Sequence, residues 1–227
     1  MDLPIARYLD AAVLKPEMSR EEAAAAIKEC VAVNAKTACV RPCDVELAKE
    51  ICADSETGVC VVLAFPHGQQ TSVSKAGEAR EYVKLGVEEV DMVANIGRIR
   101  SHDWDAVTAD VQAVVDVCKP AGIPLKVIFE TSYLTDEEIA QTTECAIAAG
   151  ADFVKTSTGF GGEGATESGV KIMLDTAAGR CEVKPSGGIR DFARAKMFVD
   201  MGATRLGVGY SSCRAIIDGG TAEGSGY

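Results

Sequence analysis

A charged side chain in the middle of an apolar strand needs a reason, and this sequence offers three. The segment Asp152-Phe153-Val154-Lys155-Thr156-Ser157-Thr158-Gly159 reads as a strand running into a glycine loop. Side chains alternate along a strand, so Phe153, Lys155 and Ser157 share one face. A lysine amine is nucleophilic only when neutral, and only roughly one in 2,500 is neutral at pH 7. Burial and a neighbouring cation both favour the neutral form. The stretch Glu182-Val183-Lys184-Pro185-Ser186-Gly187-Gly188 supplies such a neighbour, with Lys184 at the matching height of the next strand. One such lysine is explained as well by a stem that snorkels to the surface. Two at matched positions, each followed by a glycine loop, point to nucleophilic chemistry. Asp91, in Glu89-Val90-Asp91-Met92-Val93, is the third charge. An inward carboxylate there can pair with a lysine and move protons through a water. A structural ion pair with Lys126, on the following strand, accounts for it equally well. Lys126 and Asp10 are candidates of the same kind, and Asp10 also suits a cap on the first loop.

A second signal concerns anions. In Gly187-Gly188-Ile189-Arg190-Asp191 a glycine pair opens a helix, and exposed N–H groups at a helix start bind phosphate well. Gly159, Gly207, Gly209, Ser211 and Ser212 fall at similar loop positions. A tight turn explains a lone Gly-Gly pair; its place after the Lys184 strand favours the anion.

The elements that must position these residues follow from periodicity. Strand-like runs cover 7–10, 36–41, 58–65, 88–95, 124–130, 152–157, 181–186 and 204–208. Helix-like segments lie between them, near 20–33, 44–53, 71–85, 103–118, 135–149, 166–178 and 190–201, with a shorter one near 211–217. Ser19 before Arg20-Glu21-Glu22, and Thr135 before Asp136-Glu137-Glu138, are helix starts. Glycines after Leu85, Ala149, Ala178 and Met201 are helix ends. Eight βα repeats predict a single-domain α/β structure, the (β/α)₈ TIM barrel, over 1–218, with a flexible glycine-rich tail over 219–227. An open doubly wound sheet is the alternative, but no Gly-x-Gly-x-x-Gly turn follows the first strand.

The chain of 227 residues is near the length of one such barrel. Its net charge of −11 argues against nucleic acid while leaving room for a small phosphorylated ligand. Nine cysteines, an odd number, read as buried thiols of a reducing compartment. Cys39 and Cys43 lack a second Cys/His pair at ligand spacing, and His67 and His102 are the only histidines, so no metal or other cofactor is expected. Met1-Asp2-Leu3-Pro4 lacks the basic and apolar regions of a secretion signal, and no apolar run approaches ~18 residues, so no membrane span and a cytoplasmic setting are expected. Exposed apolar helix faces on such a barrel suit a homodimer.

Val154-Lys155-Thr156-Ser157-Thr158-Gly159-Phe160 closely resembles the Schiff-base strand of deoxyribose-phosphate aldolases. Val183-Lys184-Pro185-Ser186-Gly187-Gly188-Ile189-Arg190 is similar to that family's second-lysine strand, and Glu89–Val93 and Val62–Pro66 are similar to further family segments. The resemblance runs from about Tyr8 to the C-terminus. It implies that Lys155 forms an imine, that Lys184 tunes it, that Asp91 relays protons, and that the substrate is 2-deoxyribose 5-phosphate. It implies phosphate binding at Gly187, Gly188 and the loop after strand eight; Asp10, Lys126, Gly159, Arg190, Gly209 and Ser211 complete the substrate set. It also implies a proton-exchange role for the terminal Tyr227. Two stretches depart from the family. Ala11-Ala12 stands where a polar pair such as His-Thr is common. Leu206–Ser212 reads as longer than the expected Gly-Thr-Ser-Ser, so the phosphate serine is ambiguous. The rivals are another imine-forming barrel with a larger donor such as dihydroxyacetone phosphate, and a catalytically silent barrel that binds a sugar phosphate.

Overall fold

Eight parallel strands form a ring in the computed structural model, in which residues 3–222 are described. They are β1 (Leu9–Val13), β2 (Thr37–Val40), β3 (Gly58–Leu63), β4 (Glu89–Val93), β5 (Leu125–Ile128), β6 (Phe153–Lys155), β7 (Glu182–Lys184) and β8 (Leu206–Gly209). Each strand from β1 to β6 pairs with its successor in the chain, and β1 also pairs with β8. The β7–β8 seam closes just beyond β7. There Gly207 N–H donates to the Pro185 carbonyl at 2.8 Å, and Ser186 bridges Gly207. Pro185 has no N–H to give, but its carbonyl still accepts.

The helices are α1 (Arg20–Ala32), α2 (Val45–Cys52), α3 (Ser72–Leu85), α4 (Ile96–Arg100), α5 (Trp104–Cys118), α6 (Asp136–Ala149), α7 (Glu167–Ala177), α8 (Phe192–Met201) and α9 (Tyr210–Ile217). Ser19 with Glu22, and Thr135 with Glu138, form the expected reciprocal caps. Helix α7 ends differently from expectation. Ala178 itself adopts the left-handed conformation (φ 47°), ahead of Gly179.

Several boundaries differ from the sequence reading. The first strand begins at Leu9, later than predicted, because Ile5–Tyr8 coils into a 3₁₀ turn behind Pro4. Arg7 then reaches the carbonyls of Ala35 and Glu56 (3.1 and 3.2 Å). Burial draws Ala11 and Ala12 into the strand despite their weak β-propensity. Helix α4 was not expected; Asn95 caps it by accepting from Arg98 N–H. The glycine pair does not open α8 directly: that helix starts at Phe192 and is capped by Asp191.

Outward-facing strand residues and the inner faces of the helices make the main apolar core. The barrel interior is divided. Near β1–β3 it is apolar, with Ala12, Leu14, Cys39, Cys60 and Val62 packed beside Phe65. Near β4–β7 it is charged. Among the described residues, no helix is long and apolar enough to cross a membrane.

Candidate active site

Strand register brings the predicted charges together. Asp91 on β4 lies beside Lys126 on β5, and Lys155 at the end of β6 lies beside Lys184 at the end of β7. Asp91 is the hub. Its Oδ2 accepts from Lys155 Nζ and Lys184 Nζ, both at 2.7 Å, and its Oδ1 accepts from Lys126 Nζ at 2.8 Å. The two readings of Asp91 therefore describe its two oxygens: one faces the paired lysines, the other makes the ion pair with Lys126.

A second layer of charge lies toward the bottom of the barrel. Asp10 Oδ2 meets Lys184 Nζ at 2.5 Å, while its Oδ1 accepts from Thr37 Oγ1 (2.7 Å) and Arg205 (2.8 Å). Glu89 holds Lys126 at 2.6 Å and takes two bonds from Arg205, at 2.6 and 2.9 Å. The Phe153 ring faces both cations, 5.8 Å from Lys126 Nζ and 5.5 Å from the Arg205 guanidinium carbon. Asp10 and Lys126, expected among the substrate-binding residues, thus sit inside this network, and Asp10 does not cap a loop. Sequence reasoning passed over Glu89 and Arg205 because strand-end charges usually face solvent. Parity was the available signal, since Glu89 is two residues from Asp91 and Arg205 two from Gly207.

The network sets its own proton affinities. Burial pushes the Asp91 carboxyl up, but Lys126, Lys155 and Lys184 outweigh it and hold the group well below the usual carboxylate range. Burial likewise opposes ionisation of Asp10, and Lys184, Arg205 and Lys126 reverse the effect. Lys126 loses to burial and gains more from Asp91, Cys60, Asp10 and Glu89, so it holds its proton above the ordinary lysine range. Lys126 and Lys184 have no exposed surface, whereas Lys155 retains 2%.

Cys39 and Cys60 are in register on β2 and β3. Their sulfurs and an Asp91 oxygen lie within 4.8 Å of one another. This donor set escaped the sequence reading, which paired Cys39 with the exposed Cys43. Three ammonium groups already compete for the same carboxylate. The Cys60 thiol donates to Asp91 Oδ1 at 3.2 Å.

Beside the lysines a cavity of about 260 Å³ is lined by Gly159, Gly187, Gly188, Arg190, Gly207, Gly209 and Ser212, with Gly162 and Gly164. Gly188 has φ 72°, and a Cβ built there meets nothing within 4 Å, so this backbone faces open space. Gly209 precedes α9 without a side-chain cap, leaving the first-turn amides of that helix available to an anion. Ser211 is exposed and does not line the cavity; Ser212, one residue further, is buried and does.

A family model described as DeoC/LacD family aldolase matches residues 1–219. The chain belongs to the DeoC/LacD aldolase family. A curated relative, deoxyribose-phosphate aldolase 1 of Staphylococcus aureus, is 46% identical over 201 residues, covering 88% of this chain and 90% of that one. The solved structure of "QR15, an aldolase" superposes with a TM-score of 0.89 at 36% identity, covering 95% of each chain. The deoxyribose phosphate aldolase of Aeropyrum pernix, described as tetrameric, superposes at 0.87 with 28% identity, covering 96% of this chain and 92% of that one. As a member of this aldolase family, the chain shows how its two unusual stretches fit. Ala12 joins the apolar wall on the β1–β3 side of the interior. After β8 no loop intervenes, since β8 ends at Gly209 and α9 begins at Tyr210. Tyr227 lies outside the described residues.

Proposed function

We propose that this DeoC/LacD aldolase cleaves 2-deoxy-D-ribose 5-phosphate reversibly to D-glyceraldehyde 3-phosphate and acetaldehyde, through an imine on Lys155. One observation carries the reading: Lys155 ends β6 at the barrel mouth and shares one Asp91 oxygen with Lys184, beside a cavity lined by backbone amides. Four cations (Lys126, Lys155, Lys184, Arg205) meet three carboxylates (Asp10, Glu89, Asp91) in this interior. The crowding of positive charge disfavours a further proton on one amine, and the mouth position of Lys155 makes it the amine that reaches substrate.

In the proposed sequence Lys155 attacks the C1 aldehyde of the open sugar, and loss of water gives the iminium. A proton leaves the C3 hydroxyl, the C2–C3 bond breaks, and its electrons move into the iminium to give an enamine. Glyceraldehyde 3-phosphate departs. Protonation at C2 and hydrolysis then release acetaldehyde and restore the amine. Lys184 and Asp91 keep the local charge and relay protons. Gly187, Gly188 and Arg190, with the start of α9, hold the phosphate.

The barrel over 1–218 and the segment over 219–227 have separate parts in this reading. The root of that segment, expected to be loose, is held as far as Ala222. Thr221 bridges Asp191, and Ala222 N–H donates to the Arg190 carbonyl at 2.9 Å. Five residues of fully extended chain span at most about 18 Å, and the reading gives the proton exchange to the Tyr227 phenol. A cytoplasmic enzyme and a homo-oligomer belong to the same reading. Free, mostly buried thiols and the tetramer described for the Aeropyrum pernix protein support them; light scattering and fractionation test them.

Borohydride reduction in the presence of acetaldehyde, followed by peptide mapping, tests the central step. A two-carbon adduct on the Lys155 peptide is expected; a stable adduct on Lys184 instead would reverse the two roles. The same incubation in heavy water tests Tyr227. Tyr227→Phe should slow deuterium entry into the acetaldehyde methyl group while leaving trapping at Lys155 little changed, and wild-type exchange would remove Tyr227 from the mechanism.

A further inference from the structure

Glu130 is a buried acid that the reaction above does not use. It follows β5 at the mouth of the barrel and is 1% exposed. Its backbone is left-handed (φ 59°, ψ 64°), a conformation that costs a non-glycine residue of order 1 kcal/mol or more. Such strain persists only where the surroundings impose it, and here they are specific. Glu130 Oε2 accepts from Thr158 N–H at 3.3 Å and from the Thr158 hydroxyl. Thr158 Oγ1 in turn accepts from Phe160 N–H at 3.0 Å. The turn closes tightly over the carboxylate, since a Cβ on Gly161 would stand 2.6 Å from Glu130 Oε2. Neighbouring Ser132 donates to the Gly161 carbonyl at 3.1 Å.

This turn joins the two halves of the site. It starts three residues after Lys155 and contributes Gly159, Gly162 and Gly164 to the wall of the cavity. At its far end Ala165 N–H donates to the carbonyls of Ser186 and Gly187, at 3.0 and 3.1 Å. Gly164 packs so closely there that a Cβ would fall 2.2 Å from the Gly187 carbonyl. Lys155 also acts electrostatically on Glu130. Burial pushes the Glu130 carboxyl up, and the bonds from Thr158 draw it back.

We propose that Glu130 is a positioning residue, a clamp that holds the turn after β6 so that the phosphate cradle keeps a fixed distance from the Lys155 amine. The inference rests on the aldolase reading for what the two ends hold. The clamp itself needs only acceptors. An amide oxygen at the Oε2 position can take both Thr158 bonds, so Glu130→Gln keeps it and Glu130→Ala removes it.

The test compares these two variants with the wild type by calorimetry with inorganic phosphate and by borohydride trapping of acetaldehyde. Glu130→Ala should weaken phosphate binding roughly tenfold, about 1.4 kcal/mol, with trapping at Lys155 within about twofold of wild type. Glu130→Gln should restore phosphate binding to within about threefold of wild type. With 2-deoxyribose 5-phosphate, the alanine variant should show the loss chiefly in KM, and unphosphorylated 2-deoxyribose should be turned over almost as before. Wild-type phosphate affinity in Glu130→Ala, equal losses for both sugars, or a glutamine variant as damaged as the alanine one would each overturn the clamp. Failure of the wild type to trap acetaldehyde on Lys155 would strike the aldolase reading alone, because the phosphate arm is read independently.

Discussion

Asp91 shows how much one side chain can carry. It answers three ammonium groups from the centre of the barrel, with no exposed surface of its own. Breaking a buried charge network by removing one member typically costs about 3–5 kcal/mol, because the partners are left uncompensated. Asp91→Ala should therefore lower the unfolding free energy by about that amount in urea titrations. Borohydride trapping on Lys155 should fall with it, and a variant of wild-type stability would show that the three lysines find other partners. Lys155, Lys184 and Asp91 were legible in the sequence for a physical reason: a charge inside an apolar, β-branched run has few innocent explanations. Glu130 was not, because an acid at the last position of a strand run, here 124–130, reads as facing solvent. Only the left-handed backbone and the bonds from Thr158 mark it out.

At the level of elements, the eight repeats were readable because each helix carries its start signal and each strand its apolar run. The ends were less readable. Strands β6 and β7 stop at their lysines, two residues earlier than expected, because neither Thr156-Ser157 nor Pro185-Ser186 continues the regular ladder. One residue of phase at the start of α9 decides which serine faces the cavity, and only the helix resolves it. Ser212 is buried against the cavity and Ser211 points outward. Ser212→Ala should raise KM for 2-deoxyribose 5-phosphate several-fold, about 1 kcal/mol for one hydrogen bond, and Ser211→Ala should leave it unchanged. Steady-state kinetics on the two variants checks the assignment, and the opposite ranking would move the phosphate contact to Ser211.

For the whole molecule, the charged interior makes stability depend on acid. Asp10, Glu89 and Asp91 all hold their protons less tightly than ordinary carboxyls: burial opposes ionisation in each, and the surrounding Lys and Arg charges prevail. In the unfolded chain these groups titrate near about 4. Below that pH the unfolded state binds protons that the folded state refuses, so the equilibrium moves toward unfolding. The contribution is complete above the unfolded values and is lost as pH falls through the folded ones. Glu130, whose carboxyl is raised by burial, works in the opposite sense. The urea midpoint should thus decline steeply between about pH 5 and pH 3, and a midpoint unchanged at pH 3 would mean that the network contributes no net stability. The hold on Thr221 and Ala222 has a practical side as well. It brings the chain, as far as Ala222, to the rim that Arg190 lines, whereas Ile5–Tyr8 leads into the opposite end of the barrel. A bulky group attached at exposed Thr221 would therefore crowd that rim. The same group attached at exposed Leu3, ahead of the Ile5–Tyr8 turn, would leave the rim clear, so that face is the one to use when the enzyme is labelled or immobilised.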